Sequence, residues 1–388
     1  MKIKVRFTLF YFAFRSVCTI FAQEKFFRKM KLHIFNPEHE MALAADTAYM
    51  TLPHAVQEFK TNLGFLPALW AEDGDFVLVD DVQYAVKALS QCRVPHADVL
   101  FLAFEDLRHL AFDSFEPWGW DKAVRQVLAD AGMPLGALPS DGYLAYIRSL
   151  ADRRNTVDVL ACLRSGLEDS TCGESRFCTS AEMVTEELRV HGAVVVKALW
   201  SSSGRGVKYA EGGIGASLYG WVSKTIARQG GVMVEPYYKK VKDFALEFYS
   251  YGDGSVEYRG LSVFETNRNS YAGNIIAAEE EKAALLHKYL PDEIMNETRR
   301  RLETYFSESA FREYAGPLGV DMMVVAKDSG NGFMLHPCVE VNVRRTMGHV
   351  ANSFCTPVTE PCRLMHIVHD VNYKLKFDNM ENNFVKVI

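Results

Sequence analysis

From Lys31 onward, short apolar runs alternate with helical stretches whose apolar positions recur at three and four, the grammar of an α/β chain. "KLHIF" (31–35), "FVLVD" (76–80) and "DVLFLAF" (98–104) predict strands. "DKAVRQVLADAG" predicts a helix opened by Asp121 and stopped by Gly132 and Pro134. The opening is Rossmann-like, and ligands of such sheets bind beyond the carboxyl ends of the strands, where "NPEHE" (36–40) falls. No GxGxxG follows a strand, which leaves a nicotinamide or flavin site without support. Residues 138–166 predict two helices, the first capped by Ser140 and the second broken at Gly166. "CTSAEMVTEEL" predicts another through a capping box of Thr179 with Glu182.

Beyond it the pattern turns to strand and hairpin. "AVVVKALW" and "GVKYAEGG" flank a serine-glycine loop, and "GGVMVEPYY" and "DFALEFYSYGDGSVEYRGLSVFE" add strands joined by an Asp-Gly turn. A charged helical stretch at 278–313 leads to two strands around a turn in "GPLGVDMMVVAKDSGNGFMLHPCVEVNVRR". No internal repeat interrupts this order.

At 388 residues the chain has room for two or three domains. Its net charge of -6 is interspersed and no basic run would track a phosphate backbone, so nucleic acid is not an expected partner. The eight cysteines (18, 92, 162, 172, 178, 338, 355 and 362) show no CxxC and no zinc spacing, and read as reduced, mostly buried thiols of a cytoplasmic protein. Lys2, Lys4 and Arg6 before an apolar stretch have a secretory layout, which Arg15 cuts in half. Residues 1–22 therefore read either as an export signal or as a leader upstream of a start at Met30, and no stable membrane span is expected.

Three groups of residues carry chemistry. Ser201, Ser202, Ser203, Gly204, Arg205 and Gly206 supply free backbone N–H groups, hydroxyls and a cation to an anion, although the stretch also fits a plain turn. It is no Walker A, since a strand and not a helix follows. Alternation places Lys197 on the face of Val195, where a lysine needs an anionic partner or must snorkel at the strand end. Asp321, Glu340 and Asn342 are hard oxygen donors of the kind Mg²⁺ takes alongside phosphate, and Glu340 and Asn342 share one strand face. Glu340 also fits an ion pair with Arg344 or Arg345.

In order, a strand lysine, a small-residue flap, an apolar strand ending in "VMVEPYY", and an Asp with a late Glu-x-Asn resemble the ATP-grasp superfamily, with "SSGRGV" and "VEVNVRRTMG" as the telling strings. The resemblance covers about residues 140–350. It implies an α/β and α+β chain: residues 1–29 a leader, 30–139 a Rossmann-like pre-ATP-grasp domain, 140–235 an ATP-grasp N lobe with helices and phosphate flap, and 236–388 a C lobe with the metal site. It further implies that Lys197 binds the α- and β-phosphates, that the 201–206 flap covers the β- and γ-phosphates, and that Glu235 recognises the adenine amino group. Asp321, Glu340 and Asn342 would ligate one or two Mg²⁺ ions, with Arg344 or Arg345 at the γ-phosphate or an acylphosphate. The family's earlier helix lysine is absent, and Arg153 or Arg154 stands in its place.

The implied reaction activates a carboxylate with ATP for attack by an amine or similar nucleophile. A non-catalytic adenine-nucleotide binder and a small-molecule phosphotransferase are the alternatives. For the acceptor side, "NPEHE" offers Asn36 and Glu38, and "TNRNSYAGN" offers Arg268, Tyr271 and Asn274. His39 reads as a first-turn helix residue, and the four late histidines 336, 349, 366 and 369 as structural. The acid, the amine and the oligomeric state are not written in the sequence.

Overall fold

The structure, a computed structural model, describes residues 29–201, 206–267, 270–354 and 361–380. Three sheets organise them. The first joins β1 (Lys31–Ile34), β2 (Phe76–Leu78), β3 (Leu100–Leu102) and β4 (Ser114–Pro117) in the order β3-β2-β1-β4, every pairing parallel, as a Rossmann-like start requires. One face buries Leu32, Ile34 and Phe115 against Val124 and Leu128 of the helix Lys122–Asp130. Asp121 caps that helix by accepting the Val124 N–H at 2.8 Å. β4 is the strand the pattern hides: "SFEP" is short, half polar and ends in proline, tolerable only because it lies at a sheet edge.

The second sheet joins β5 (Arg176–Cys178), β6 (Ala193–Ala198), β7 (Val207–Glu211) and β8 (Val232–Pro236) in the antiparallel order β5-β8-β6-β7. Val194, Val196, Val232 and Val234 turn one face onto the helices Ala181–His191 and Ala216–Gln229. The cap of the first of these is Ser180, one residue beyond the expected Thr179: its hydroxyl accepts the Met183 N–H at 3.3 Å, while the Thr179 hydroxyl reaches the Met183 sulfur at 3.6 Å.

The third and largest sheet joins β9 (Lys240–Tyr251), β10 (Val256–Asn267), β11 (Ser270–Ile276), β12 (Ala315–Ala326), β13 (Phe333–Asn342), β14 (Arg363–His369) and β15 (Tyr373–Asn379) in the order β13-β12-β9-β10-β11-β14-β15. Period-two alternation makes one face apolar: Phe244, Leu246, Phe248, Val263, Val320 and Met322 are buried there. Ile147 and Leu150 of the helix Asp141–Leu150, Leu160 and Leu163 of Asn155–Arg164, and Leu302 and Phe306 of Asp292–Glu308 cover it. The two helices of residues 140–166, expected in the N lobe, thus pack on the large sheet, because its apolar face is the surface wide enough to bury their stripes. Ser140 caps the first as expected, accepting the Tyr143 N–H at 3.1 Å. Over β12 and β13 the opposite face is polar and, with Asp321, Glu340 and Asn342, forms the floor of a cleft beneath the second sheet.

The first sheet is joined to the third by a shared core in which Phe35, Val77 and Trp118 meet Ile276, Met365 and Leu375. Among the described residues no helix is long and apolar enough to cross a membrane. The six described cysteines are free, and of them Cys178 and Cys338 are fully buried, fewer than the sequence reading expected.

"NPEHE" follows β1 and is knotted into the scaffold. The Asn36 amide donates to the Gly119 carbonyl at 2.8 Å and to Asp121 Oδ2 at 3.1 Å, and His39 Nδ1 lies 3.0 Å from the same Asp121 oxygen. A Cβ on Gly119 would sit 2.6 Å from the buried His39 ring. Gly119→Ala must displace that ring, and a denaturant titration should read a destabilisation of about 1–3 kcal/mol.

Candidate functional site

The cleft is built from two sheets. On β6, Val194 and Val196 face the lobe's own core, so Val195 and Lys197 face the cleft. Val195 is the register partner of Glu235 on β8, which brings Glu235 to the same face. Lys197 Nζ lies 2.6 Å from Glu235 Oε2, both side chains buried, and donates to the Val339 carbonyl at 3.1 Å. The anion that Lys197 needs is therefore present in the protein itself: Glu235 holds the lysine, with the Ser175 hydroxyl donating to its other oxygen at 3.4 Å.

The Val339 carbonyl is free for this bond because of a bulge. Asp321 pairs with Glu340 and Met323 with His336, so a two-residue step on β12 faces a four-residue step on β13. Pro337, which has no N–H for the ladder, lies inside the bulge. Before it, His336 is fully buried with neither ring nitrogen hydrogen-bonded, and burial, then the Lys197 charge, pushes its pKa down to about 3. It is a neutral packing residue, edge-on to Tyr238 with ring centroids 5.3 Å apart.

On the floor, register sets Asp321 beside Glu340, and Asn342 beside Gly319 one step along. Burial, then the Glu340 and Glu247 charges, push the Asp321 carboxyl up to about 8, and a hydrogen bond from Asn342 opposes the rise. Arg153 spans the cleft. Its guanidinium donates to Glu340 Oε1 at 2.6 Å, to the Ser201 hydroxyl at 2.7 Å and to the Ser201 carbonyl at 2.9 Å. Of the two arginines weighed for this role it is Arg153 that enters the cleft. Arg154 points out, paired with Asp152 at 2.6 Å and lying 5.2 Å from the Phe177 ring.

Arg344 bonds Glu40 of the "NPEHE" segment and donates to the Arg345 carbonyl at 2.9 Å. Burial works against its charge, but Glu40, then Glu340 and Asp321, outweigh it and hold the guanidinium pKa above its usual value. Arg345 corrects the expectation that either arginine would serve. The chain leaves β13 with Arg345 on the other side, where its guanidinium stacks 4.6 Å over Trp70.

At the base of the flap the Ala198 N–H donates to the Gly206 carbonyl at 2.8 Å. A Cβ on Gly206 would meet the Ser201 side chain at about 2.1 Å, so only glycine closes the loop there. Ser202, Ser203, Gly204, Arg205 and Arg268 lie outside the described residues.

The expected acceptor residues divide. Tyr271 donates its hydroxyl to Asn274 Oδ1 at 2.5 Å and Asn274 donates to the Ser262 hydroxyl at 2.7 Å, a polar row across β10 and β11 in which Asn274 and Ser262 are fully buried. Asn36 instead spends its amide hydrogens on Gly119 and Asp121, and Glu38 accepts from Lys60 at 2.6 Å, so both serve the scaffold. Sequence reasoning missed Glu247, whose carboxylate accepts from the Thr346 hydroxyl at 2.7 Å and lies 3.0 Å from His349 Nδ1. This buried group pins the turn after β13 and so aims Arg344. Its signal was a lone acid inside the apolar run "DFALEFY".

Among the described residues no group of three or more His, Cys, Asp or Glu side chains gathers as a metal cluster. Two carboxylates and an amide nonetheless fit Mg²⁺, which keeps several waters and takes few protein ligands. An Asp321 carboxyl pushed up by burial and then by its acidic neighbours is a site short of positive charge, which a divalent cation supplies.

No family model and no curated protein matches the sequence. Solved structures do match. The β-γ-ATP complex of biotin carboxylase from Campylobacter jejuni has a TM-score of 0.51 at 11% identity, over 88% of this chain and 76% of that one. The biotin carboxylase domain of 2-oxoglutarate carboxylase from Hydrogenobacter thermophilus, with MgADP, ADP and bicarbonate, has a TM-score of 0.50 at 12% identity, over 88% and 75%. A putative ATP-grasp superfamily protein from Archaeoglobus fulgidus has a TM-score of 0.45 at 12% identity, over 91% and 100%.

The raised Asp321 pKa has a sign. Without divalent ions the folded chain holds a proton there that the unfolded chain releases near 3.8, so this residue's contribution falls as pH rises from about 4 to about 8. Asp321→Asn should remove that slope, read as a melting temperature that gains on the parent with rising pH. Parallel profiles across the window would show that Asp321 titrates normally.

Proposed function

We propose that this chain, which has the ATP-grasp fold, is an ATP- and Mg²⁺-dependent ligase that activates a carboxylate as an acylphosphate for attack by an amine or similar nucleophile. The observation that carries the reading is the convergence on Arg153 of the flap base, at Ser201, and the floor acid Glu340. A nucleotide laid between the sheets would have Lys197 at its α- and β-phosphates and the 201–206 loop over the β- and γ-phosphates. Glu235, with the backbone beside it, would meet the adenine amino group.

Asp321, Glu340 and Asn342 would hold the magnesium, which supplies charge neutralisation to the phosphates when bound. Arg344, tethered by Glu40, would face the γ-phosphate and the acylphosphate made from it. A carboxylate oxygen attacks the γ-phosphorus as the bond to ADP breaks. The amine then attacks the acyl carbon, phosphate leaves, and the nitrogen loses a proton. Positioning and electrostatics provide the rate in such transfers, and a closed flap would keep water from the acylphosphate. Tyr271 and Asn274 would offer polar contacts to the acceptor.

Lys197→Ala would strand the Glu235 carboxylate in the interior at about 3–5 kcal/mol, and Lys197→Gln restores a hydrogen-bond donor but not the charge, so a melting curve accompanies each variant. Lys197→Gln and Glu340→Gln should each cut ADP release by about 10²-fold or more, measured with ATP, Mg²⁺ and pooled carboxylates and amines. Release that needs two co-substrates supports ligation; release with one supports a phosphotransferase. Near-normal turnover in either variant removes that residue from the mechanism.

A further inference from the structure

Behind the cleft, on the far side of Arg345, a second set of polar groups keeps donor and acceptor atoms unpaired. His33 and Glu116 are register partners on β1 and β4, so their side chains stand side by side on the sheet face turned toward the large sheet. His33 Nε2 lies 2.9 Å from Asp75 Oδ2, which fixes the ring as an Nε2–H donor. Its Nδ1 is left as a buried acceptor with nothing bound to it.

Trp70 Nε1, also buried, donates to nothing. The Arg345 guanidinium, 4.6 Å above the Trp70 ring, has no hydrogen bond or ion pair among the described residues, and neither does the Glu116 carboxylate. Burial pushes Arg345 down to about 10 and Glu116 up, each partly restored by the other's charge. Glu116, Arg345, Trp70 and Tyr249 are half-buried, which leaves an approach from solvent. Buried donors and acceptors are normally satisfied, and here an N–H, a guanidinium, a bare imidazole nitrogen and a carboxylate are left open together.

We propose that this pocket, between the first sheet and the turn after β13, binds a small zwitterion of the α-amino-acid class. Its carboxylate meets Arg345 and the Trp70 indole N–H, and its ammonium meets Glu116 and His33 Nδ1. A plain anion would leave Glu116 and His33 unmatched and add repulsion, and a plain amine would do the same to Arg345 and Trp70. The groups lie where the first and third sheets meet, and a seam between packed layers is a usual place for small-molecule sites. It needs neither nucleotide nor metal, so it stands whether or not the ligase reading holds.

Calorimetric titration of the full chain, without nucleotide, with each of the twenty common α-amino acids tests this, with acetate and methylammonium as single-charge probes. At least one amino acid should bind at about 1 mM or tighter, and both single-charge probes at least about tenfold more weakly. Arg345→Met and Glu116→Gln should each weaken that amino acid at least about tenfold, and Trp70→Phe, which keeps the ring beneath the guanidinium, severalfold. A melting curve and a circular-dichroism spectrum of each variant report that it is folded. The proposal fails if no amino acid binds, if acetate binds as tightly, or if folded Trp70→Phe and Glu116→Gln proteins bind like the parent.

Discussion

One guanidinium ties the cleft together. Arg153, buried at the start of the helix Asn155–Arg164, donates at once to Ser201 on the small lobe and to Glu340 on the large sheet. The helix that carries it is fixed on the apolar face of that sheet through Leu160 and Leu163. A charge so placed ties the small lobe to the helix and the large sheet, which already pack on one another. Removing it would take from Glu340 its hydrogen-bonded cation and leave Glu340 and Asp321 with the charge of Arg344, already tied to Glu40, to oppose their repulsion.

The large sheet makes this possible by keeping its two faces separate. One face of β9, β10 and β12 packs Phe244, Leu246, Phe248, Leu261, Val263, Val320 and Met322 onto helices, and the other carries Glu247, Ser262 and Asp321. Such alternation lets a polar floor be wide without unbalancing the core. Its cost appears at Glu247, which needs Thr346 and His349 as partners and leaves no room for a side chain at Gly319 or Gly348.

Much of this was legible in the sequence, for a physical reason: alternation and caps are local. The strands β1, β2 and β3, the Asp121 and Ser140 caps and the exposure of Lys197 to the cleft all follow from residues within a turn or a pleat of one another. What failed was what depends on distant pairing. Glu235 is the ion partner of Lys197 because β6 and β8 are in register, and no spacing along the chain encodes that. The helices of residues 140–166 carried an unmistakable pattern, but the pattern does not say which sheet they cover. Asn36 and Glu38 looked like ligand-binding residues because polar side chains after a first strand often are; here Asn36 is bound to Gly119 and Asp121, and Glu38 accepts from Lys60 through one oxygen while the other is unpaired.

The shared core of the first and third sheets has a mechanical consequence. Phe35, Val77, Ile276 and Met365 lock those two bodies into one, while the valines of β6 and β8 pack only within their own lobe. The molecule is therefore an anvil with a single jaw. Any gaping of the mouth must swing the small lobe alone, against the polar links at Ser201, Val339 and Leu335 and against the apolar contact of Leu199, Trp200 and Met233 with Leu43.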